Sequence, residues 1–171
     1  MSGRHLARRF FGSLRPGGPS EADREWIESV LSAAEYALWC RQRGPDRRHT
    51  ADAARRVERR LGADATEPVL AAALLHDIGK LDADLGTWGR VIATLSAKVA
   101  GHDTSRLWIR STGFTRRVGL YLHHPEIGAD MLELAGSDPL VVAWAAQHHR
   151  PPDEWTVDRA IAEVLHEVDD D

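Results

Sequence analysis

Cysteine is nearly absent from this chain: its 171 residues include one, Cys40. A single cysteine forms no disulfide within the chain, which excludes a fold held by internal disulfides and favours a reducing compartment. The chain also lacks any run of about 18 apolar residues, the length that a membrane-spanning helix needs. We therefore expect a cytoplasmic protein without a membrane span.

Charge is unevenly distributed along a chain of otherwise ordinary composition. Apolar residues make up 43% and charged residues 28%, fractions that together with the length are typical of one globular domain. The net charge is -4, but residues 1–60 carry 13 arginines and 8 acidic residues, whereas residues 61–171 carry 9 basic and 18 acidic residues. Most of the candidate metal-binding residues described below lie in the acidic part.

Residues 1–18 alternate arginines with apolar residues and lack the apolar core of a secretory signal. Such a segment is typical of an arm that lies on a membrane surface or binds a partner. The alternative is a mobile or loosely docked tail, and this is the interpretation we prefer. We predict a basic, flexible N-terminal arm at residues 1–18 and a single domain at residues 19–171.

Apolar residues recur at helical spacing, which predicts an all-α fold. We expect a first core helix from Ser20 to Arg43, a second from near Asp46 to Leu61, and a third that begins near Pro68. Further helices are expected at the apolar residues 91–99 and after three later positions: Pro125, Pro139 and Thr156.

The central candidate motif lies at residues 71–80. An apolar run at residues 71–75 ends in His76 and Asp77, followed by Ile78-Gly79-Lys80. Helical spacing places Asp77 on the inward face of the third helix, beside Leu74. A buried imidazole and carboxylate side by side are costly unless a charged partner binds them, and a divalent cation does so best.

Three more predicted helices carry a polar side chain on an otherwise apolar stripe: His49, His148 and Asp169. Alone, each fits a satisfied core residue, and for His49 we would favour that interpretation. Together with Asp77, however, four unpartnered buried groups would cost about 1–3 kcal/mol each. A shared cation is the simpler explanation.

Neighbouring histidines enlarge this set to five histidines and two aspartates. The candidate ligands are His49, His76, Asp77, His124, His148, His149 and Asp169. They are too many for one tetrahedral zinc and suit a dinuclear metal centre of two octahedral ions, of the Fe or Mn type, bridged by a carboxylate. His123 and His166 are alternatives to their neighbours.

Two basic features near this set have open interpretations. Lys80 either offers a charge to a phosphate oxygen or caps the carboxyl end of its helix. The arginines at residues 106–117 either clamp phosphate oxygens or form a solvated face, which we prefer.

The order of His49, His76-Asp77 and Asp169 resembles the H…HD…D signature of the HD-domain superfamily of metal-dependent phosphohydrolases, and residues 76–80 match its HDIGK form. Residues 124–132, followed by the pair His148-His149, are similar to the HD-GYP branch and its relatives. The resemblance covers about residues 45–170. It implies a bundle of about six to eight helices around a metal site.

By this resemblance, two divalent ions, Fe or Mn with Zn, Mg or Ni as alternatives, activate a water that hydrolyses a nucleotide or other small phosphate ester. Asp77 would bridge the ions and, with Lys80, take part in catalysis. His49, His76 and Asp169 would complete one site, and the second would be completed by His124, His148 and His149.

The chain departs from the HD-GYP pattern after its paired histidines, where Arg150-Pro151-Pro152 stands in place of an acidic residue and Gly-Tyr-Pro. Cyclic di-GMP specificity is therefore not implied. Pro45 stands where some members have a glutamate for a third ion, which is not expected here. A different hypothesis is a catalytically silent HD module that binds a nucleotide or a protein partner. Nucleic-acid binding through the arginine-rich half has no motif to support it.

Overall fold

The computed structural model describes residues 17–85, 89 and 102–170. These residues form helices and turns and contain no strand, which confirms the all-α fold. The α-helices are α1 Glu21–Val30, α2 Ala33–Cys40, α3 Gly44–Leu61, α4 Glu67–Leu75, α5 Lys80–Ala83, α6 His102–Ile109, α7 Gly113–Leu122, α8 His124–Leu134, α9 Pro139–Gln147 and α10 Arg159–Asp170. Two short 3₁₀ helices are Gly62–Asp64 and Pro152–Glu154.

The predicted first core helix is divided into α1 and α2. With this division and with α5, α6 and α7, which the spacing did not predict, the described residues contain more helical segments than the six to eight expected. Leu31 has an extended backbone and ends α1. Ser32 then starts α2 with a capping box: its hydroxyl accepts the Glu35 N–H, and the Glu35 carboxylate accepts the Ser32 N–H. These local hydrogen bonds compete with continuation of the helix, which the apolar spacing alone did not reveal.

The prediction that Asp77 lies within the third helix is wrong, because α4 ends at Leu75. The N–H groups of Ile78 and Lys80 donate to carbonyls three residues back instead of four. The chain therefore tightens into successive turns at residues 76–79 before α5 begins. Similarly, α10 begins at Arg159 instead of near Thr156, since the Asp158 side chain accepts the N–H groups of its first turn.

Helix α4 is the centre of the bundle. All residues from 69 to 75 are buried, so this helix is apolar on every side. It packs against α3 and α9, while α10 packs on α3 and α8 packs on α9. The carboxyl end of α4, where His76 and Asp77 follow, is therefore surrounded by the helices that carry the other candidate ligands.

A smaller second core joins α5 to α7 through Ala83, Leu85, Val118 and Leu120. It meets the main bundle at Gly79, where an added Cβ would lie 2.0 Å from the His124 carbonyl oxygen and 2.6 Å from the Gly128 nitrogen. Only glycine permits this approach, which places the start of α8 beside Asp77.

Some predictions fall outside the part of the chain that the structure describes. The helix expected at residues 91–99 and most of the N-terminal arm lie there. The division of the chain at residues 18 and 19 stays a prediction. Within the described ranges, no helix is both long and apolar enough to cross a membrane.

Candidate metal centre

Three candidate ligands, His76, His124 and His148, lie at the carboxyl ends of helices and share one local design. His76 and His148 are the residues at which α4 and α9 end, and His124 follows α7. Each Nδ1 lies 2.7–3.0 Å from the carbonyl oxygen three residues back. Because a carbonyl only accepts, Nδ1 carries the hydrogen, and Nε2 keeps its lone pair. Helix ends thus fix the tautomer that a metal ligand needs.

These Nε2 atoms converge on the carboxylate of Asp77. The Nε2 atoms of His124 and His148 lie 3.2 and 3.6 Å from Oδ1 of Asp77. On the other side, His76 Nε2 lies 3.6 Å from Oδ2. All three Nε2 atoms and Oδ1 are buried without a hydrogen-bond partner in the described structure. Lone pairs that face one another in a buried space are stabilised by a cation between them, so this donor set fits a metal ion.

A second group of ligand atoms lies directly beside the first. Asp169 Oδ1 lies 3.1 Å from His49 Nε2 and 3.4 Å from His76 Nε2. The structure therefore brings all seven sequence-predicted side chains together in two groups. The groups are His49, His76 and Asp169, and Asp77, His124, His148 and His149, with ligand atoms within 4.8 Å of one another in each. Asp77 and His76 are the point of contact between them.

The HD domain family model matches residues 47–169. The chain belongs to the HD domain family. The matched segment includes both ligand groups and spans helices α4 to α9 in full. HD domains bind divalent metal ions and are commonly hydrolases. No curated protein and no solved structure matches this HD domain.

Among the described residues, Lys80 is the only lysine or arginine whose side chain pairs with Asp77. Its Nζ donates to Asp77 Oδ2, and both side chains are largely buried. Burial opposes ionisation of Asp77, but the charges of Lys80 and His76 outweigh it and hold the pKa well below its usual value. Burial likewise opposes the Lys80 ammonium, yet Asp77 raises its pKa. Lys80 begins α5, so it does not cap the end of α4.

The histidines differ in their protonation. Burial lowers the pKa of His124 to about 4, which leaves this ring neutral near pH 7, as a metal ligand must be. Burial alone would also lower the pKa of His76, but the carboxylates of Asp77 and Asp169 raise it instead. His76 is thus the ring held between two negative charges.

A cavity of about 120 Å³ opens beside the ligand groups, shares Asp77 with them and is also lined by Lys80. Its remaining lining is the turn at residues 41–43, Asp46, Leu81 and Asp84. These remaining lining residues were not predicted from the sequence. Asp46 precedes His49 by one helical turn, a signal that helical spacing offered, whereas the turn at residues 41–43 carries no periodic pattern.

Other candidates lie apart from the ligand groups. Arg106, Arg110 and Arg116 are exposed, in agreement with a solvated face. Arg117 pairs with Asp84 at 3.1 Å. Neither His123 nor His166 belongs to either ligand group, and the His166 ring lies against Trp155.

Proposed function

We propose that this HD domain is a metal-dependent phosphohydrolase that cleaves a nucleotide or other small phosphate ester in the cytoplasm. The observation that carries the proposal is the convergence of three unpartnered Nε2 atoms on the two sides of one buried carboxylate. Two adjacent divalent ions, when bound, lower the pKa of water and polarise phosphoryl oxygens, which supplies a nucleophile that the described side chains do not offer.

In this proposal Asp77 would contribute to both metal sites, since its Oδ2 faces His76 and its Oδ1 faces His124 and His148. His49, His76 and Asp169 would complete one site. The second group adds His124, His148 and His149. Imidazole and carboxylate ligands in this number suit Fe or Mn. Zn and Ni also accept imidazole, whereas Mg, the remaining alternative, prefers the carboxylate oxygens.

Lys80 is the proposed contact for a substrate phosphate. It lines the cavity beside Asp77, and its raised pKa keeps it protonated near neutral pH. Arg41 lines the same cavity, whereas Arg43 is paired there with Asp84. The Lys80 ammonium can stabilise charge on phosphoryl oxygens.

An activity screen tests the proposal. The protein, loaded with Mn or Fe, is assayed on 4-nitrophenyl phosphate, bis-(4-nitrophenyl) phosphate and the common mononucleotides. We expect hydrolysis of at least one substrate class and a loss of more than about 100-fold in Asp77→Asn, since loss of outer partners alone costs about 10- to 100-fold.

Asp130→Asn is the matched control, because Asp130 is exposed on α8, the helix that also carries His124. It should retain full activity. A metal-loaded protein that hydrolyses none of these compounds contradicts the proposal, and nucleotide binding without turnover would favour a catalytically silent module.

A further inference from the structure

Gln42 is a buried amide that the fold does not use. Its side chain lines the cavity beside the ligand groups, and the residue is 7% exposed. Both Oε1 and Nε2 lack a hydrogen-bond partner in the described structure. An unsatisfied buried donor and acceptor cost free energy, so a residue that serves only the fold would be paired or apolar.

A second buried glutamine shows the contrast. Gln147 is 8% exposed, and its Nε2 donates to Thr156 Oγ1 at 2.8 Å. Its Oε1 accepts the Thr156 N–H at 2.7 Å. Gln147 therefore joins the end of α9 to the loop before α10. Gln42 is equally buried but makes neither kind of contact.

Two cations that line the cavity with Gln42 engage other groups and not its amide. Arg43 pairs with Asp84 at 2.6 Å, and Lys80 pairs with Asp77. Since Asp77 also lines this cavity, a ligand that fills the cavity reaches the ligand groups and Gln42 together. The volume of about 120 Å³ corresponds to roughly four waters at liquid density, so the cavity takes in one polar edge of a ligand whose remainder lies outside it.

The side-chain amide of Gln42 determines which kind of ligand group can pair with it in the cavity. It presents one donor and one acceptor side by side. Phosphate oxygens only accept, so they satisfy Nε2 and leave Oε1 unpaired. A group that both donates and accepts satisfies both atoms, and a nucleoside offers two of these: the paired hydroxyls of ribose and the amide-like edge of a base.

We propose that Gln42 determines specificity by binding the nucleoside part of a nucleotide through a paired donor and acceptor, while the phosphate lies at the ligand groups. This inference rests on the proposed function for the position of the phosphate. Gln42 touches the part of the substrate that does not react, so its contribution is to binding and selection.

Thermal unfolding gives the first test, with Gln42→Met and Gln147→Met as a matched pair. Gln42→Met should leave the melting temperature unchanged or raised, because it removes two unsatisfied buried atoms. Gln147→Met should lower it, because Thr156 loses its partners. If both variants lose the same stability, Gln42 serves the fold and the inference is wrong.

Calorimetric titration gives the second test. The Mn-loaded wild type and Gln42→Met are titrated with AMP, GMP, CMP, UMP, 2′-deoxy-AMP and inorganic phosphate. We expect Gln42→Met to weaken the binding of at least one nucleotide by about 10-fold, the contribution of a bidentate hydrogen-bonded pair. The affinity for inorganic phosphate should not change. A wild-type preference for AMP over 2′-deoxy-AMP would identify the ribose hydroxyls, and a preference among bases would identify the base edge.

The two proposals fail differently. If nucleotide binding depends on Gln42 but no hydrolysis follows, the proposed hydrolase activity is wrong and the proposed role of Gln42 in specificity is supported. Hydrolysis by the wild type with the same substrate preference in Gln42→Met overturns the specificity residue alone, as does a wild type that binds phosphate but no nucleotide.

Discussion

At the scale of single residues, Asp77 is the side chain on which the ligand groups depend. Its Oδ1 faces two histidine nitrogens that carry lone pairs, and its Oδ2 faces Lys80 and His76. Without metal, the Lys80 ammonium contributes the larger share of the positive charge, ahead of His76, that stabilises this buried carboxylate. Lys80 therefore has a structural role before metal binds, besides the proposed contact with substrate.

Lys80→Met tests that structural role. Removal of one partner of a buried ion pair costs about 3–5 kcal/mol, because the other charge stays buried and unpaired. We expect a loss of this size in the metal-free protein and a much smaller loss when metal is bound, since the ions then neutralise Asp77. Urea unfolding with and without a chelator measures both values.

Arg110→Met serves as the control for this measurement, because Arg110 is an exposed cation in the turn after α6. It should change the free energy of unfolding by less than about 0.5 kcal/mol in either state. Equal destabilisation of the metal-free and metal-loaded Lys80→Met protein would show that Lys80 does not act through Asp77.

At the scale of elements, the sequence predicts those helices whose starts have a local signal. Pro125 and Pro139 lie in the first turns of α8 and α9, as expected from their fixed backbone angles. The break at Ser32 and the turns after His76 were missed, because they depend on local hydrogen bonds that compete with the helix. The contact between Gly79 and α8 joins distant segments, so no local pattern predicts it.

Gly79→Ala tests that contact. The added Cβ would lie 2.0 Å from the His124 carbonyl oxygen, a backbone atom that moves only if α8 moves. We expect a loss of about 1–3 kcal/mol in unfolding free energy and weaker binding of the ion that we propose His124 to hold. Differential scanning calorimetry and metal titration measure these effects.

Gly18→Ala is the control, since a Cβ added there would have no neighbouring atom closer than 3.8 Å. It should leave both stability and metal affinity unchanged. If Gly79→Ala behaves like this control, the approach of α8 to the turn does not position His124.

The start of α1 gives a pH-dependent prediction. Hydrogen bonding from Ser20, followed by Arg55, lowers the pKa of Asp23 below its ordinary value of 3.8. Because the pKa of Asp23 is lower in the folded protein, its ionised carboxylate stabilises the folded state above pH 3.8. This stabilisation is lost as the pH falls through the pKa of Asp23 in the folded protein. Asp23→Asn should therefore cost about 0.5 kcal/mol near pH 7, the size of a partly exposed ion pair.

Urea unfolding of the wild type and Asp23→Asn between pH 7 and pH 3 measures this difference. The two proteins should converge in stability as the pH falls. A difference that stays constant across the range would show that the charge of Asp23 contributes nothing to the stability of α1.

At the scale of the whole molecule, the sequence predicts the ligand set better than its surroundings. Polar side chains on apolar stripes identify His49, His148 and Asp169, and the structure places all of them around His76 and Asp77. The cavity that completes the site was not predicted. It is assembled from a turn and from residues in different helices, and neither has a periodic pattern.

The central claim is that two ligand groups, joined at Asp77, bind two ions. Elemental analysis by mass spectrometry of the purified, metal-loaded protein tests it most directly, with His49→Ala and His149→Ala removing one ligand from each group. We predict two metal ions per chain in the wild type and one in each variant. One ion per chain in the wild type, or none, would contradict the account.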